Sequence, residues 1–142
     1  MTVHPTALPE GLPRPEATDL DRPYWTGLRE RRLVVQRCVP CRSWRFGPEH
    51  LCPFCQSFHY DWEEVEASGL IYSWERVWHP VHPALDGATP YVVVLVEIPK
   101  AGGVRMIGNL LGDPRAPVAI GQPVAGVFED HASYTLLQWK IA

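Results

Sequence analysis

A mainly β protein is what the sequence predicts: a short N-terminal helix, then a four-cysteine ribbon, then a five-stranded barrel. Three observations carry that reading. All four cysteines fall between residues 38 and 55, as two Cys-x-x-Cys pairs with ten residues between them. Beyond residue 69, short strand runs alternate with turn signals and no helical period appears. Proline, 15 of 142 residues, is well above ordinary usage and favours strands and irregular connections over long helices.

The length suits one ordinary domain, or a small module on a compact one. With 46% apolar and 20% charged residues, the composition is that of a soluble globular chain. A net charge of -3 argues against a dedicated nucleic-acid binder. The opening stretch, MTVHPTALPEGLPRPEA, lacks the basic and apolar regions of a secretory signal. No apolar run approaches the roughly 18 residues that span a bilayer. The expected location is cytoplasmic, where thiols stay reduced.

Residues 1–18, with prolines at 5, 9, 13 and 15, read as an extended or disordered arm. Over 19–32, Leu20, Tyr24 and Leu28 recur every four residues and mark one face of a helix. Thr18 or Asp19 would cap it, Pro23 fits only its first turn, and Gly27 weakens it. Tyr24 and Trp25 need a surface to bury them, either in their own domain or on a subunit. The ribbon occupies 33–63. The strand 33–37 leads into the first cysteine pair, and a half-buried strand in which Phe58, Tyr60 and Trp62 alternate with polar residues leaves the second. Gly69 marks a break. The barrel, 64–142, draws strands from 70–78, 91–98, 104–111, 123–129 and 134–141. The run 92–96 reads as buried on both faces. Closure would remove exposed edges, and the OB-fold is the commonest five-stranded solution.

Cys38, Cys41, Cys52 and Cys55 supply four soft ligands as two knuckles on a hairpin, which is what tetrahedral zinc requires. A thioredoxin-like motif needs only one pair in a βαβ setting. The thiolates alone leave iron, and hence electron transfer, open. Arg42 and Gln56 follow the two pairs, where glycine often relieves a turn with positive φ. With four protein ligands no position remains for substrate, so the expected role of Zn2+ is structural. His50 reads as a surface residue.

Seven arginines lie between Asp21 and Arg45, as a solvated face or as a surface for an acidic partner or phosphorylated ligand. The prolines in His79-Pro80-Val81-His82-Pro83 forbid a helix, so this stretch reads as a loop. No nucleophile elbow, phosphate loop or catalytic triad is visible, and no cysteine is left over as a nucleophile. No catalytic residue is expected. Tyr72, Trp74 and Trp78 share parity and would form a stacking face in the competing reading, single-stranded nucleic-acid binding.

The ordered segments PYWTGLRERRLVVQRCVPC, CPFC, GLIYSWERVWHPVHPA, PYVVVLVEI, VRMIGNLLG and IGQPVAGVFED resemble a bacterial and archaeal family. Its members join an N-terminal helix and a rubredoxin-like zinc ribbon to an OB-fold. The resemblance implies an accessory, non-catalytic subunit of thiolase-fold enzymes acting on acyl-CoA thioesters. These include thiolases and steroid side-chain aldolases of the lipid-transfer-protein type. It further implies a hetero-oligomer. In such a subunit the aromatics Tyr24, Trp25 and Trp78, the arginines Arg29, Arg31 and Arg32 and the loop histidines His79 and His82 are the candidates for the partner or CoA interface, because aromatics and arginine dominate binding hot spots. Charge and hydropathy argue against nucleic acid or membrane as a partner.

Overall fold

The computed structural model describes residues 8–142. Residues 1–7 of the expected arm lie outside the described residues. Among the described residues one α-helix, α1 (Arg22–Arg29), precedes eight strands. Three form the ribbon sheet: β1 (Leu33–Cys38), β2 (Trp44–Arg45) and β3 (Tyr60–Val65), in the order β2-β1-β3. Five form the barrel: β4 (Ser68–Val77), β5 (Tyr91–Ile98), β6 (Val104–Leu110), β7 (Pro123–Asp130) and β8 (Thr135–Ile141). They close in the order β4-β5-β6-β8-β7, with a parallel contact only between β6 and β8. No helix among the described residues is long and apolar enough to cross a membrane.

Helix α1 is shorter than its sequence period. Pro23 sits in its first turn, where a missing N–H costs nothing. Asp21 is the N-cap in place of Thr18 or Asp19, and its carboxylate turns back to accept from Thr18 N–H (2.6 Å) and Oγ (2.9 Å). At the other end Arg31 adopts a left-handed conformation (φ 64°). Its N–H reaches Leu28 O (3.0 Å) and that of Arg32 reaches Gly27 O (2.8 Å), a Schellman closure made without glycine.

That closure aims two arginines at the barrel. Arg29 donates to the carbonyls of His131 (2.8 Å), Ala132 (2.9 Å) and Tyr134 (3.1 Å), binding the whole β7–β8 turn. Arg31 pairs with Asp130, which also accepts from Thr135 Oγ1 (2.7 Å). The Arg31 guanidinium and the Thr135 hydroxyl hold the Asp130 carboxyl well below the usual carboxylate range. A depressed folded-state value gives stability that is present above the unfolded value of 3.8 and lost as pH falls through the folded one. Thermal melts against pH should therefore show Asp130→Asn melting below the parent at neutral pH, with the gap closing in strong acid. A gap that does not change with pH would rule out this charge-based clamp.

One core spans both modules. Leu28 of α1 and Leu33 and Val35 of β1 join Val94, Val96, Ile98 and Trp139 of the barrel in a single buried cluster. Tyr24 and Trp25 pack against it, and burial pushes the Tyr24 phenol up to about 12. The two aromatics thus find their surface within their own chain.

Four expectations need correction. Gly69 is no break: it lies inside β4, paired with Val124, where the strand leaves β7 for β5. The run 92–96 is buried on one face only, in strict alternation, because the barrel has a single interior. Tyr72, Trp74 and Trp78 do not share a face. The register shifts between Ile71 and Ser73, so Tyr72 points out while Trp74 packs on the core, and Trp78 follows the end of the strand. Phe58, 69% exposed, likewise precedes β3.

Candidate metal centre

Two six-residue stretches, CVPCRS and CPFCQS, build the site by the same local geometry. In the first, Cys38 N–H donates to Ser43 O and Arg42 N–H to Cys38 O, at 2.9 and 3.1 Å. In the second, Cys52 N–H donates to Ser57 O and Gln56 N–H to Cys52 O, both at 2.9 Å. Arg42 and Gln56 both sit at φ 63°, so these are the ordinary glycine-type knuckle turns carrying side chains. Gln56→Gly should relieve one of them. After the entropy cost of glycine a gain of up to about 1 kcal/mol remains, read as a melting point a few degrees higher in the zinc-loaded protein. An unchanged or lower melting point would show that the turn carries no such strain.

The knuckles bring the four ligand sulfurs within 4.8 Å of one another. Cys38 Sγ lies 3.5 Å from Cys55 Sγ, and Cys41 Sγ 3.6 Å from Cys52 Sγ. A tetrahedron with Zn–S bonds of about 2.3 Å has edges near 3.8 Å, so the cage fits zinc. Cys38 and Cys52 are buried, Cys41 and Cys55 exposed, and none is in a disulfide. Burial opposes ionisation of Cys52, but the Cys55 N–H, the Ser43 hydroxyl and the Phe54 N–H outweigh it and pull the thiol down to about 5. For Cys55, the Ser57 N–H favours the thiolate, yet the neighbouring Cys38 sulfur, burial and the other two cysteines push it up to about 11. Four adjacent sulfurs ionise together only around a cation.

Ser43 was not singled out from the sequence. Its hydroxyl lies 3.1 Å from Cys41 Sγ and 3.5 Å from Cys52 Sγ, linking the knuckles. The signal was the repeated Cys-x-x-Cys-x-Ser pattern. The remaining candidates do not converge on the centre. Arg29 and Arg31 hold the barrel turn, and Arg32 pairs with Glu30 and Glu64, both at 3.1 Å. His82 Nδ1 accepts from Ala84 N–H (3.1 Å) and orders the β4–β5 loop, on which His79 and Trp78 are exposed. His50 is exposed.

Residues 25–62 match the family described as "ChsH2, rubredoxin-like zinc ribbon domain", and residues 62–129 match "ChsH2, C-terminal OB-fold domain". This chain belongs to the ChsH2 family. The ChsH2 zinc ribbon accounts for the four cysteines, and the ChsH2 OB-fold for the closed barrel. A solved structure titled "Ltp2-ChsH2(DUF35) aldolase" is similar at 35% identity and TM-score 0.80, over 90% of this chain and 98% of that one. A DUF35-family protein of unknown function from Sulfolobus solfataricus shares the ChsH2 fold at TM-score 0.63 and 14% identity, over 89% and 87% of the two chains.

Two longer relatives of this ChsH2-family chain are curated proteins. One is a "Probable enoyl-CoA hydratase alpha subunit" of Thermomonospora curvata, 42% identical over 79% of this chain and 34% of its own length. The other is the "3-oxo-4,17-pregnadiene-20-carboxyl-CoA hydratase alpha subunit" of Mycobacterium tuberculosis, 31% identical over 93% of this chain and 41% of its own. The chain thus spans about a third to two fifths of the curated relatives it matches.

Proposed function

We propose that this chain is the non-catalytic subunit of a lipid-transfer-protein-type, thiolase-fold aldolase that cleaves a carbon–carbon bond in an acyl-CoA thioester, with a steroid side chain as the favoured acyl group. The observation that carries the reading is the likeness to the ChsH2 chain of an Ltp2–ChsH2 aldolase over 98% of that chain. The chain's own chemistry agrees with it. All four cysteines converge on the one metal cage, which leaves none placed as a separate nucleophile. The one closely paired buried acid and base among the described residues, Glu129 and His131 (2.9 Å), are only 4% and 8% exposed, and Leu8 N–H also binds the carboxylate (3.2 Å).

Zinc here braces the ribbon, and the ribbon root and α1 share the barrel's core. The complex acts in the cytoplasm, with the partner supplying the reacting groups. The partner- or CoA-facing surface takes its exposed contacts from Trp78 (57% exposed) and His79, with His82 ordering their loop. Tyr24, Trp25, Arg29, Arg31 and Arg32 are engaged within the chain, against the core, the β7–β8 turn and Glu64, and contribute to that surface only by holding the fold. Aromatic anchors on an ordered loop suit a binding hot spot.

The test is co-expression with the lipid-transfer-protein-type thiolase homologue of the same genome, followed by a retro-aldol assay on a β-hydroxyacyl-CoA bearing a steroid ring. Co-elution, with turnover by the pair and none by this chain alone, is expected. Turnover by this chain alone, or failure of the two to associate, would defeat the proposal. The names of the curated relatives favour a second reading, in which the same module serves an enoyl-CoA hydratase. Hydration of an enoyl-CoA by a complex with a hydratase subunit, and no association with an aldolase, would decide for it.

A further inference from the structure

Beneath the metal centre lies a buried arginine with no acid to pair with. Arg45, on β2, is 7% exposed. Its Nε donates to Gln36 Oε1 (2.6 Å) and its Nη2 to the carbonyl of Glu49 (3.0 Å). Its Nη1 has no partner, and neither does Gln36 Nε2 beside it. No carboxylate among the described residues lies within ion-pair distance. The neighbouring ribbon arginines differ: Arg37 and Arg42 both pair with Glu63, at 3.0 and 2.6 Å. A buried cation bonded only to neutral oxygens is costly unless an opposite charge is close.

The register shows where such a charge is. Arg45 pairs with Gln36 across β1–β2, and Gln36 shares a strand face with Cys38 two residues on. Diagonal neighbours of this kind stand about 7–8 Å apart at their backbones. The guanidinium also faces the ring of Tyr60 at 5.4 Å, and Tyr60 is the β3 residue directly opposite Cys38. Arg45 therefore lies one residue layer below the cysteine cage. Four thiolates around a divalent metal leave that cage dianionic.

We infer that Arg45 is the built-in counter-ion of the zinc tetrathiolate: its buried positive charge is matched by the metal centre, and its bond to Glu49, with the Gln36–Glu49 bond (2.9 Å), ties the second knuckle's loop to the first knuckle's strand. The inference concerns the ribbon alone and does not depend on the partner or reaction.

A metal-by-residue cycle tests it, with zinc affinity read by competition with a chromogenic chelator at neutral pH. Arg45→Met, which keeps length and removes charge, should weaken zinc by about tenfold or more, the scale expected of groups that support metal ligands. Arg45→Lys, which keeps charge but loses the fork, should recover most of that loss. Melting gives an independent readout. Arg45→Met should lower the melting point of the zinc-loaded protein, but leave the chelator-stripped protein as stable as the parent or more so, because an unmatched buried cation is gone. A residue that merely packs would destabilise both forms. Should Arg45→Met fail to fold, Arg45→Lys decides alone, by holding zinc within a few-fold of the parent or not. Unchanged affinity in Arg45→Met, equal losses in Met and Lys, or equal destabilisation with and without metal would each overturn the inference.

Discussion

Gly69→Ala should destabilise the barrel at its seam. A methyl group there would lie 2.4 Å from the carbonyl oxygen of Glu97 and 2.6 Å from Val96 Cγ1, and the first of these is backbone in the neighbouring strand. Gly69 is buried where β4 exchanges one neighbour for another, pairing with Val124 of β7 just before Leu70 pairs with Glu97 of β5. Strands approach there more closely than a Cβ allows, a recognised use of glycine in sheets. Neither strand can retreat without opening the closed barrel. Overpacking against backbone costs about 3 kcal/mol or more, which for a chain of this size is roughly a 10 °C fall in melting temperature. Thermal denaturation by circular dichroism measures it directly. A variant melting within about 2 °C of the parent would mean that the seam can widen, against this account of closure.

Loss of a zinc ligand should be at least as damaging, by another route. Cys38→Ser and Cys55→Ser each leave three thiolates where the cage needs four, and metal binding supplies on the order of 10 kcal/mol to small zinc modules. The ribbon has little else. Leu51, Phe54 and Phe58 around the knuckles are exposed rather than packed, at 44, 75 and 69%. Its root, however, contributes Leu33 and Val35 to the barrel's core, so opening the ribbon uncovers apolar surface on the barrel. Both variants should lose bound zinc and become insoluble or strongly destabilised together. Elemental analysis beside a solubility and melting assay checks the pairing. Full zinc content with unchanged melting in both variants would remove Cys38 and Cys55 from the ligand set.

These two effects differ in how far the sequence revealed them. The cysteines were legible because ligand chemistry dictates residue type and local spacing, and both knuckles are local structures. Gly69 was read as a break because a lone glycine between strand runs signals a boundary. Only the pairing of β4 with both β5 and β7 shows it inside a strand. The aromatic stripe failed for a related reason. Parity along β4 holds only while the register does, and the shift between Ile71 and Ser73 turned Tyr72 and Trp74 to opposite sides. Arg105 then covers the Tyr72 ring at 3.6 Å. The arginines looked like a surface from composition, whereas Arg29 and Arg31 reach partners about a hundred positions away.

By itself, then, the sequence determined a four-cysteine metal site, the barrel strands and the order of the modules, since each depends on residue types a few positions apart. The tertiary structure decided which strands meet at the seam, which arginines are spent inside the chain, and that Arg45 is buried without an acid. Those outcomes arise from contacts between segments distant along the chain, where burial and close approach, rather than local preference, select the arrangement.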